Sequence, residues 1–183
     1  MEYLIITLGS YMLGSIPFGF ILTKIFLKKD IRNIGSGNIG ATNVLRTGNK
    51  SIGYITLLLD ILKAVAPVIY VKFYYSDYIY IASLSVFLGH VFPIWLKFKG
   101  GKGVATYVGI LFSINLVYGL IFLISWIIIF LISKYSSLSS IIASFFVPIY
   151  LIIFENFNSV FFGIMFVLIF YTHRENVKRL KNK

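Results

Sequence analysis

The chain has no cysteine, only six acidic residues and only 13% charged residues in a length of 183. Without cysteine there is no disulfide framework, no thiolate metal site and no cysteine nucleophile, and the redox compartment leaves no mark on the sequence. There are two histidines and no pair of His or carboxylate residues at ligand spacing, so no metal site and no cofactor is expected. So little charge beside 58% hydrophobic residues excludes an ordinary soluble fold, whose surface would be too apolar for water. The first apolar run opens with Glu2 rather than a basic segment, and no small-residue cleavage site follows it. An uncleaved first helix is expected.

What the chain does have is a set of long uncharged runs, and crossing a hydrocarbon core of about 30 Å takes roughly 20 helical residues. Residues Tyr3 to Leu27 make a first span, with Gly14-Ser15-Ile16-Pro17 in its middle. Pro17 removes a backbone donor there, which predicts a kink. Lys28 to Lys50 reads as a polar loop, Ser51 to Tyr75 as a second span interrupted by Asp60 and Lys63, and Tyr78 to Leu96 as a third after a tight turn at Ser76-Asp77. The run Val104 to Ser133 would reach roughly 45 Å as one helix, too long for a single crossing. Asn115 offers a break that leaves a short first half. Ile141 to Tyr171 poses the same problem, with Glu155-Asn156-Phe157-Asn158-Ser159 as the turn. The expected fold is therefore all-α, a polytopic transmembrane helical bundle of seven spans forming a single domain over residues 1–183. Splitting neither long run would give five spans, with Glu155 in lipid and Lys134 outside.

Charge bias orients the bundle. Seventeen Lys+Arg against six Asp+Glu leave a net +11. With the N-terminus outside, the loop at 28–50, the turn at 97–103 and the tail from His173 all fall on the cytoplasmic side, while the outer turns keep Asp77 and Glu155. In so apolar a chain, basic residues mark cytoplasmic loops and meet anionic lipid headgroups. Nucleic acid is not an expected partner, because no basic stripe exists apart from the membrane segments. No internal repeat of the kind transporters carry is visible.

Three polar motifs stand out. In Gly35-Ser36-Gly37-Asn38-Ile39-Gly40-Ala41-Thr42-Asn43-Val44-Leu45-Arg46 the opening satisfies G-x-G-x-x-G. A dinucleotide site needs a preceding strand and a βαβ unit, however, and the flanks here are membrane helices. What survives is an anion-suited loop: glycines let backbone N–H groups approach an oxyanion, Ser36, Asn38, Thr42 and Asn43 add side-chain donors, and Arg46 supplies a forked cation. The plain alternative is a flexible connector. The second motif, Gly89-His90-Val91-Phe92-Pro93 followed by Phe98-Lys99-Gly100-Gly101-Lys102-Gly103, fails the NTP-binding pattern. It nevertheless precedes a helix starting near Val104, whose N-terminus favours anions, with Lys102 as a phosphate ligand. Its plain alternative is a basic turn that only sets topology.

His90 and His173 both lack an Asp five residues on, so neither carries the sequence-local partner of a conventional general base. The third motif, His173-Arg174-Glu175-Asn176-Val177-Lys178-Arg179-Leu180, places His173, Asn176 and Leu180 on one helical face. It could close over an active site or lie on anionic lipid. Asp60 and Lys63, one turn apart inside an apolar span, suit a structural role near the site more than a direct one. The pair would also suit a transporter of phosphorylated solutes, although the donors gather at one face rather than at the midplane. A non-catalytic lipid-binding scaffold would not need three donor-rich motifs.

Taken in order, SGNIGATNVLR, LLLDILKAVAP, GHVFPIWLKFKGGKGVAT and HRENVKRL resemble the bacterial acyl-phosphate:glycerol-3-phosphate acyltransferase family over nearly the whole chain. One departure is Ala64, where the family usually has Gly after the lysine. The resemblance implies a seven-helix inner-membrane enzyme that transfers a fatty acyl group from acyl phosphate to the sn-1 hydroxyl of sn-glycerol 3-phosphate, giving lysophosphatidate and inorganic phosphate in phospholipid synthesis. It implies Ser36, Arg46, Lys102, His173 and Asn176 as active-site residues. Ser36, His173 and Asn176 would act in catalysis, while Arg46 and Lys102 bind substrate together with Gly37, Asn38, Thr42, Asn43, His90, Gly100, Gly101 and Gly103. Acyl phosphate, glycerol 3-phosphate and membrane lipid are the expected partners of a monomer. An acyl phosphate is a mixed anhydride with a good leaving group, so direct attack by the glycerol hydroxyl needs no covalent acyl-enzyme.

Overall fold

The computed structural model describes residues 1–155 and 159–181, and among these every regular element is helical. The chain divides into two compact units, Met1–Ile114 and Asn115–Lys183.

The first unit begins with α1 (Glu2–Gly14) and α2 (Phe18–Phe26), separated at Ser15–Pro17. The kink predicted at Pro17 is a full break, since the proline has no N–H to continue the ladder. The polar stretch after α2 is not slack. It holds 3₁₀ turns at Ile31–Asn33 and Leu45–Thr47 around a short α3 (Ala41–Val44). Asn49 then caps α4 (Lys50–Tyr74), its Oδ1 accepting from the Ile52 N–H at 3.0 Å, an arrangement that stabilises a helix start by about 1 kcal/mol. A 3₁₀ turn at Ser76–Tyr78 reverses the chain into α5 (Ile79–Val91), and another at Ile94–Leu96 leads to the glycine-rich turn before α6 (Val104–Ile114). α4 is the central post of this unit and packs on α1, α2, α3, α5 and α6. Ala64, Val68, Val86, Phe87, Ile110 and Leu111 are fully buried around it.

α6 runs alongside α4 in the same direction. A Cβ at Gly109 would lie 2.6 Å from the Ile61 carbonyl oxygen and 3.2 Å from the Ala64 Cβ. At the far end the Lys72 ammonium donates to the carbonyls of Ser113 and Ile114, each at 2.9 Å. Those carbonyls belong to the last turn of α6, where no intrahelical donor is available. Counting back from Gly109 puts Val104 roughly two turns into α4. The glycine-rich turn therefore enters beside α4 rather than above it, and α6 is short because the turn occupies part of its length.

In the second unit Asn115 caps α7 (Leu116–Ser133), its Oδ1 accepting from the Val117 N–H at 2.8 Å. That is the physical reason the long apolar run breaks there. α8 is Ser136–Phe154, α9 is Ser159–Thr172 and α10 is Arg174–Lys181. α8 starts five residues before the apolar run at Ile141. Its serines turn inward, Ser139 Oγ donating to the Tyr135 carbonyl and Ser140 Oγ to that of Ser136, both at 2.9 Å, so they satisfy themselves within the helix. α8 packs on both α7 and α9, burying Val147, Leu151, Phe162, Met165 and Ile169. The Tyr118 hydroxyl donates to Glu155, tying the start of α7 to the end of α8. Within the turn expected at residues 155–159, Asn156, Phe157 and Asn158 lie outside the described residues.

Among the described residues, five helical stretches are long and apolar enough to cross a membrane: Glu2–Phe26, Lys50–Tyr74, Ser76–Leu96, Leu116–Ser133 and Ser136–Phe154. Val104–Ile114 and Ser159–Thr172 are shorter apolar helices. Side chains such as Ile128, Leu131, Ile132 and Val160 stand exposed, which is the surface hydrocarbon solvates and water does not.

Candidate functional site

The first loop is organised from inside by Asn43. Its carboxamide is buried, and Nδ2 lies within hydrogen-bond distance of the carbonyls of Ile34 (2.8 Å), Asn38 (2.8 Å) and Ile31 (3.3 Å) while Oδ1 accepts from the Ser36 N–H (2.9 Å). Both of its hydrogens are committed to the backbone. Asn43 is thus the loop's internal tie, not an outward donor. Asn38 acts similarly with its Oδ1, which accepts from the Gly40 N–H at 2.9 Å. Thr42 and Arg46 are exposed and Ser36 is half-buried. Arg46 lies across Gly35: a Cβ there would meet its Cδ at 2.9 Å and its Nη1 at 3.3 Å. The structure therefore brings the Arg46 side chain next to Gly35, the residue before Ser36.

At the loop's entrance Arg32 forks onto Asp30, Nε to Oδ1 at 3.0 Å and Nη2 to Oδ2 at 2.6 Å. These bonds, with that from the Arg32 backbone N–H, hold the Asp30 carboxyl at about 2, below its usual 3.8. Arg32 also stacks over Phe20, its guanidinium carbon 4.8 Å from the ring centre.

The second loop is held by backbone instead. The N–H groups of Gly100 and Gly101 donate to the carbonyls of Val91 (3.0 Å) and His90 (3.1 Å), the last carbonyls of α5. These two amides cap the end of α5. The ladder of α6 begins with Tyr107 N–H to the Gly103 carbonyl at 2.7 Å, so the amides of Val104 to Thr106 precede it, as in the first turn of any helix. Gly103 takes φ +83°, and a Cβ on it would lie 2.2 Å from Phe87 Cε2. A Cβ on Gly101 would lie 2.0 Å from His90 Nε2. Only glycine lets the chain press this closely onto α5. Lys102, between them, is half-buried.

The two loops share one apolar base. Leu96, just before the second loop, packs in a cluster with Ile31, Ile39 and Val44 of the first and Ile52 of α4. Ser36, Arg46 and Lys102 therefore belong to the same end of the first unit, reached by α4 going out and α5 coming back.

Beneath this base sits a buried charged cluster. Lys63 Nζ is 2.8 Å from Asp60 Oδ1, and both side chains are 3% exposed. The pair does more than neutralise itself. Lys63 also donates to the Ile16 carbonyl at 2.7 Å and lies 5.7 Å from the Phe18 ring centre. It thereby fills the gap that Pro17 opens in the first span. Asp60 Oδ1 is 3.6 Å from His90 Nδ1. His90 lacks a nearby acidic residue along the sequence and faces one in space, just beyond hydrogen-bond distance. Sequence inspection misses this because the acidic residue comes from another helix; the signal in the sequence is an Asp and a Lys inside an apolar span.

His173 and Asn176 belong to the second unit, at the junction of α9 and α10. His173 is buried, and its Nδ1 lies 2.8 Å from the Ile169 carbonyl. A carbonyl only accepts, so Nδ1 carries a hydrogen. The His173 carbonyl accepts from the Asn176 N–H at 2.8 Å, starting the helical turn that puts the two residues on one face as expected. Arg174 folds back onto Tyr171, 4.2 Å from its ring centre. Among the described residues no group of three or more His, Asp or Glu could hold a metal ion.

The sequence model of the glycerol-3-phosphate acyltransferase family matches residues 4–183. A glycerol-3-phosphate acyltransferase of Pelagibacter ubique is 81% identical over 183 residues, covering 100% of this chain and 96% of the relative. That of Rhodopseudomonas palustris is 49% identical over 181 residues, 98% of this chain and 92% of the relative. Among solved structures, PlsY (YgiH), an integral membrane glycerol 3-phosphate acyltransferase, superposes in its glycerol 3-phosphate form with TM-score 0.92 at 36% identity, covering 100% of this chain and 93% of that one. Its lysophosphatidic acid form gives 0.89 at 35% identity, with the same coverage.

Proposed function

The chain belongs to the glycerol-3-phosphate acyltransferase family, and from that premise we propose that it transfers a fatty acyl group from acyl phosphate directly to the sn-1 hydroxyl of sn-glycerol 3-phosphate. It is a membrane protein and an acyltransferase; the donor, the direct route and the residue roles are our reading. The observation that carries the reading is the shared base at Leu96, which supports Ser36 with Arg46 and Lys102 serving one pair of phosphates.

Two anions must be brought together, and cations and oriented amides offset their repulsion. Arg46, Lys102 and the first-turn amides of α6 take this role. Aligning the two reactants can lower the barrier by on the order of 7–11 kcal/mol. Attack of the hydroxyl oxygen on the acyl carbon forms the ester bond and breaks the bond to phosphate, which leaves as inorganic phosphate. The departing phosphate takes the hydroxyl proton, and because the glycerol hydroxyl is itself the nucleophile no acyl-enzyme forms. Ser36, His173 and Asn176 orient hydroxyl and phosphate, and lysophosphatidate is the other product. PlsY structures in glycerol 3-phosphate and lysophosphatidic acid forms are consistent with these as substrate and product.

An apolar groove of about 330 Å³, lined by Ile16, Pro17, Phe20, Ile21, Trp95 and Leu96, lies beside the second loop and suits an acyl chain. Each buried methylene contributes about 0.8 kcal/mol, so affinity rises with acyl length until the groove is full. We take both units as one acyltransferase domain, acting as a monomer in the bacterial inner membrane. The N-terminus lies outside, with seven crossings and the site at the cytoplasmic face. α6 and α9 are then short crossings, and the entry of the second loop beside α4 supports this for α6.

The deciding assay gives purified protein acyl phosphate and glycerol 3-phosphate. Phosphate release that requires both, with lysophosphatidate formed, is the expected result. Uptake without product would replace the reading with transport. Activity retained in His173→Ala and Asn176→Ala would remove those residues from their roles. Labelling that found Arg46 and Lys102 on opposite membrane faces would overturn the whole site.

A further inference from the structure

The buried cluster in the first unit has a chemistry that the acyl transfer does not use. Asp60 and Lys63 sit on α4, His90 on α5, and none of the three is exposed enough to meet a substrate in solvent. Burying an ion pair in a membrane helix is costly, and it persists where the surroundings use both charges. Lys63 is used at the α1–α2 break, where it holds the Ile16 carbonyl. The use of Asp60 is seen from the histidine it faces.

The His90 ring stands between Asp60 and the second loop. Nδ1 faces Asp60 Oδ1 at 3.6 Å. The opposite edge, Nε2, presses on Gly101 so closely that a methyl group there would sit 2.0 Å away. The Gly101 N–H, in turn, is bonded to the carbonyl of His90 itself. Loop and histidine thus form one unit, with the imidazole as a spacer between Gly101 and the Asp60 carboxylate, which faces Nδ1 from just beyond hydrogen-bond distance. Lys102 follows Gly101 directly, so any turn of the ring moves the lysine.

Resting on the phosphate-binding reading of this loop, we infer that Asp60 is a positioning residue for it. Asp60 acts through His90: anchored by Lys63 and the broken first span, it holds the imidazole that sets the height of Gly101 and Lys102. The cluster couples the α1–α2 break to the loop, and no substrate touches it.

The test uses the full chain. Asp60→Asn combined with Lys63→Met removes both buried charges together, which avoids the unpaired charge either single change would leave. The expected protein is folded, with KM for one phosphate substrate raised about tenfold or more and kcat changed by less than about threefold, because the loop binds but does not react. Amide hydrogen exchange at 97–103 should quicken in the same protein with no substrate present. His90→Ala should give the same KM defect, and adding the double change to it should make the defect no worse. Unchanged loop exchange in the folded variant, or KM effects that multiply with those of His90→Ala, would overturn the inference. Should the parent protein fail to turn over, the acyltransfer reading falls instead, and the exchange result still decides the tether. His90→Gln and His90→Leu provide a further check: both refill the volume, only Gln offers an N–H donor to Asp60, and only Gln should recover part of the KM loss; equal recovery by Leu would mean packing alone and overturn the inference.

Discussion

The two glycine-rich loops have similar composition and are held in opposite ways. The first, between α2 and α4, is tied from within: one buried carboxamide, Asn43, bonds to four backbone groups of its own loop. The second lies between α5 and α6. It is pinned from outside, its glycines bonded to the end of α5 and pressed against His90 and Phe87. A loop tied internally keeps its shape wherever it is carried. A loop pinned to a helix inherits that helix's position, and with it anything that moves the helix's side chains.

That contrast can be broken most sharply at Asn43. Asn43→Leu keeps the volume but orphans the Ser36 N–H and several carbonyls, at about 1–3 kcal/mol for each group left unsatisfied. Acyl transfer should fall by about a hundredfold or more through loss of loop geometry, read as the rate of phosphate release. A variant with near-parent rate would mean the first loop does not depend on its internal tie. The next largest effect belongs to the pinned loop. Gly103→Ala meets both a left-handed backbone, at about 1–2 kcal/mol, and the Phe87 ring. Its thermal midpoint should drop, and Phe87→Leu should recover the steric part while leaving the backbone part. Full recovery would show that φ +83° carries no cost here.

The smallest effect lies at the entrance of the first loop. The Asp30 carboxyl is depressed to about 2 in the folded chain from 3.8, so its contribution is complete at neutral pH and is lost as pH falls through that interval. The pair is exposed and its worth is small. Asp30→Asn should lower the midpoint slightly at neutral pH, with the difference closing towards pH 2; a gap that persisted there would place the effect in something other than the ion pair.

Much of this architecture was legible in order along the chain. Asn115 marked the break in the long apolar run because a side-chain acceptor can satisfy a helix start locally. Pro17 marked the interruption in the first span for the converse reason, a missing donor. The helix beginning at Val104 and the one carrying Asn176 were likewise predictable from neighbours within a few residues. The roles inside the site were less legible. Asn43 looked like a ligand donor, and its commitment to the backbone depends on how the loop closes around it. The amides of Gly100 and Gly101 cap α5, which only the packed loop makes visible.

By itself, then, the sequence determined the all-helical membrane character, the helix breaks and the chemical types gathered in each motif. These depend on hydrophobic run length and on donors and acceptors only a few residues apart. The pairing of Asp60 with His90, the use of Lys63 at the Pro17 break and the common base under the two loops were decided by tertiary structure alone. Their partners lie 30 to 65 residues apart along the chain. Only the packing of α1, α2, α4 and α5 brings them within reach, and no local pattern encodes that distance.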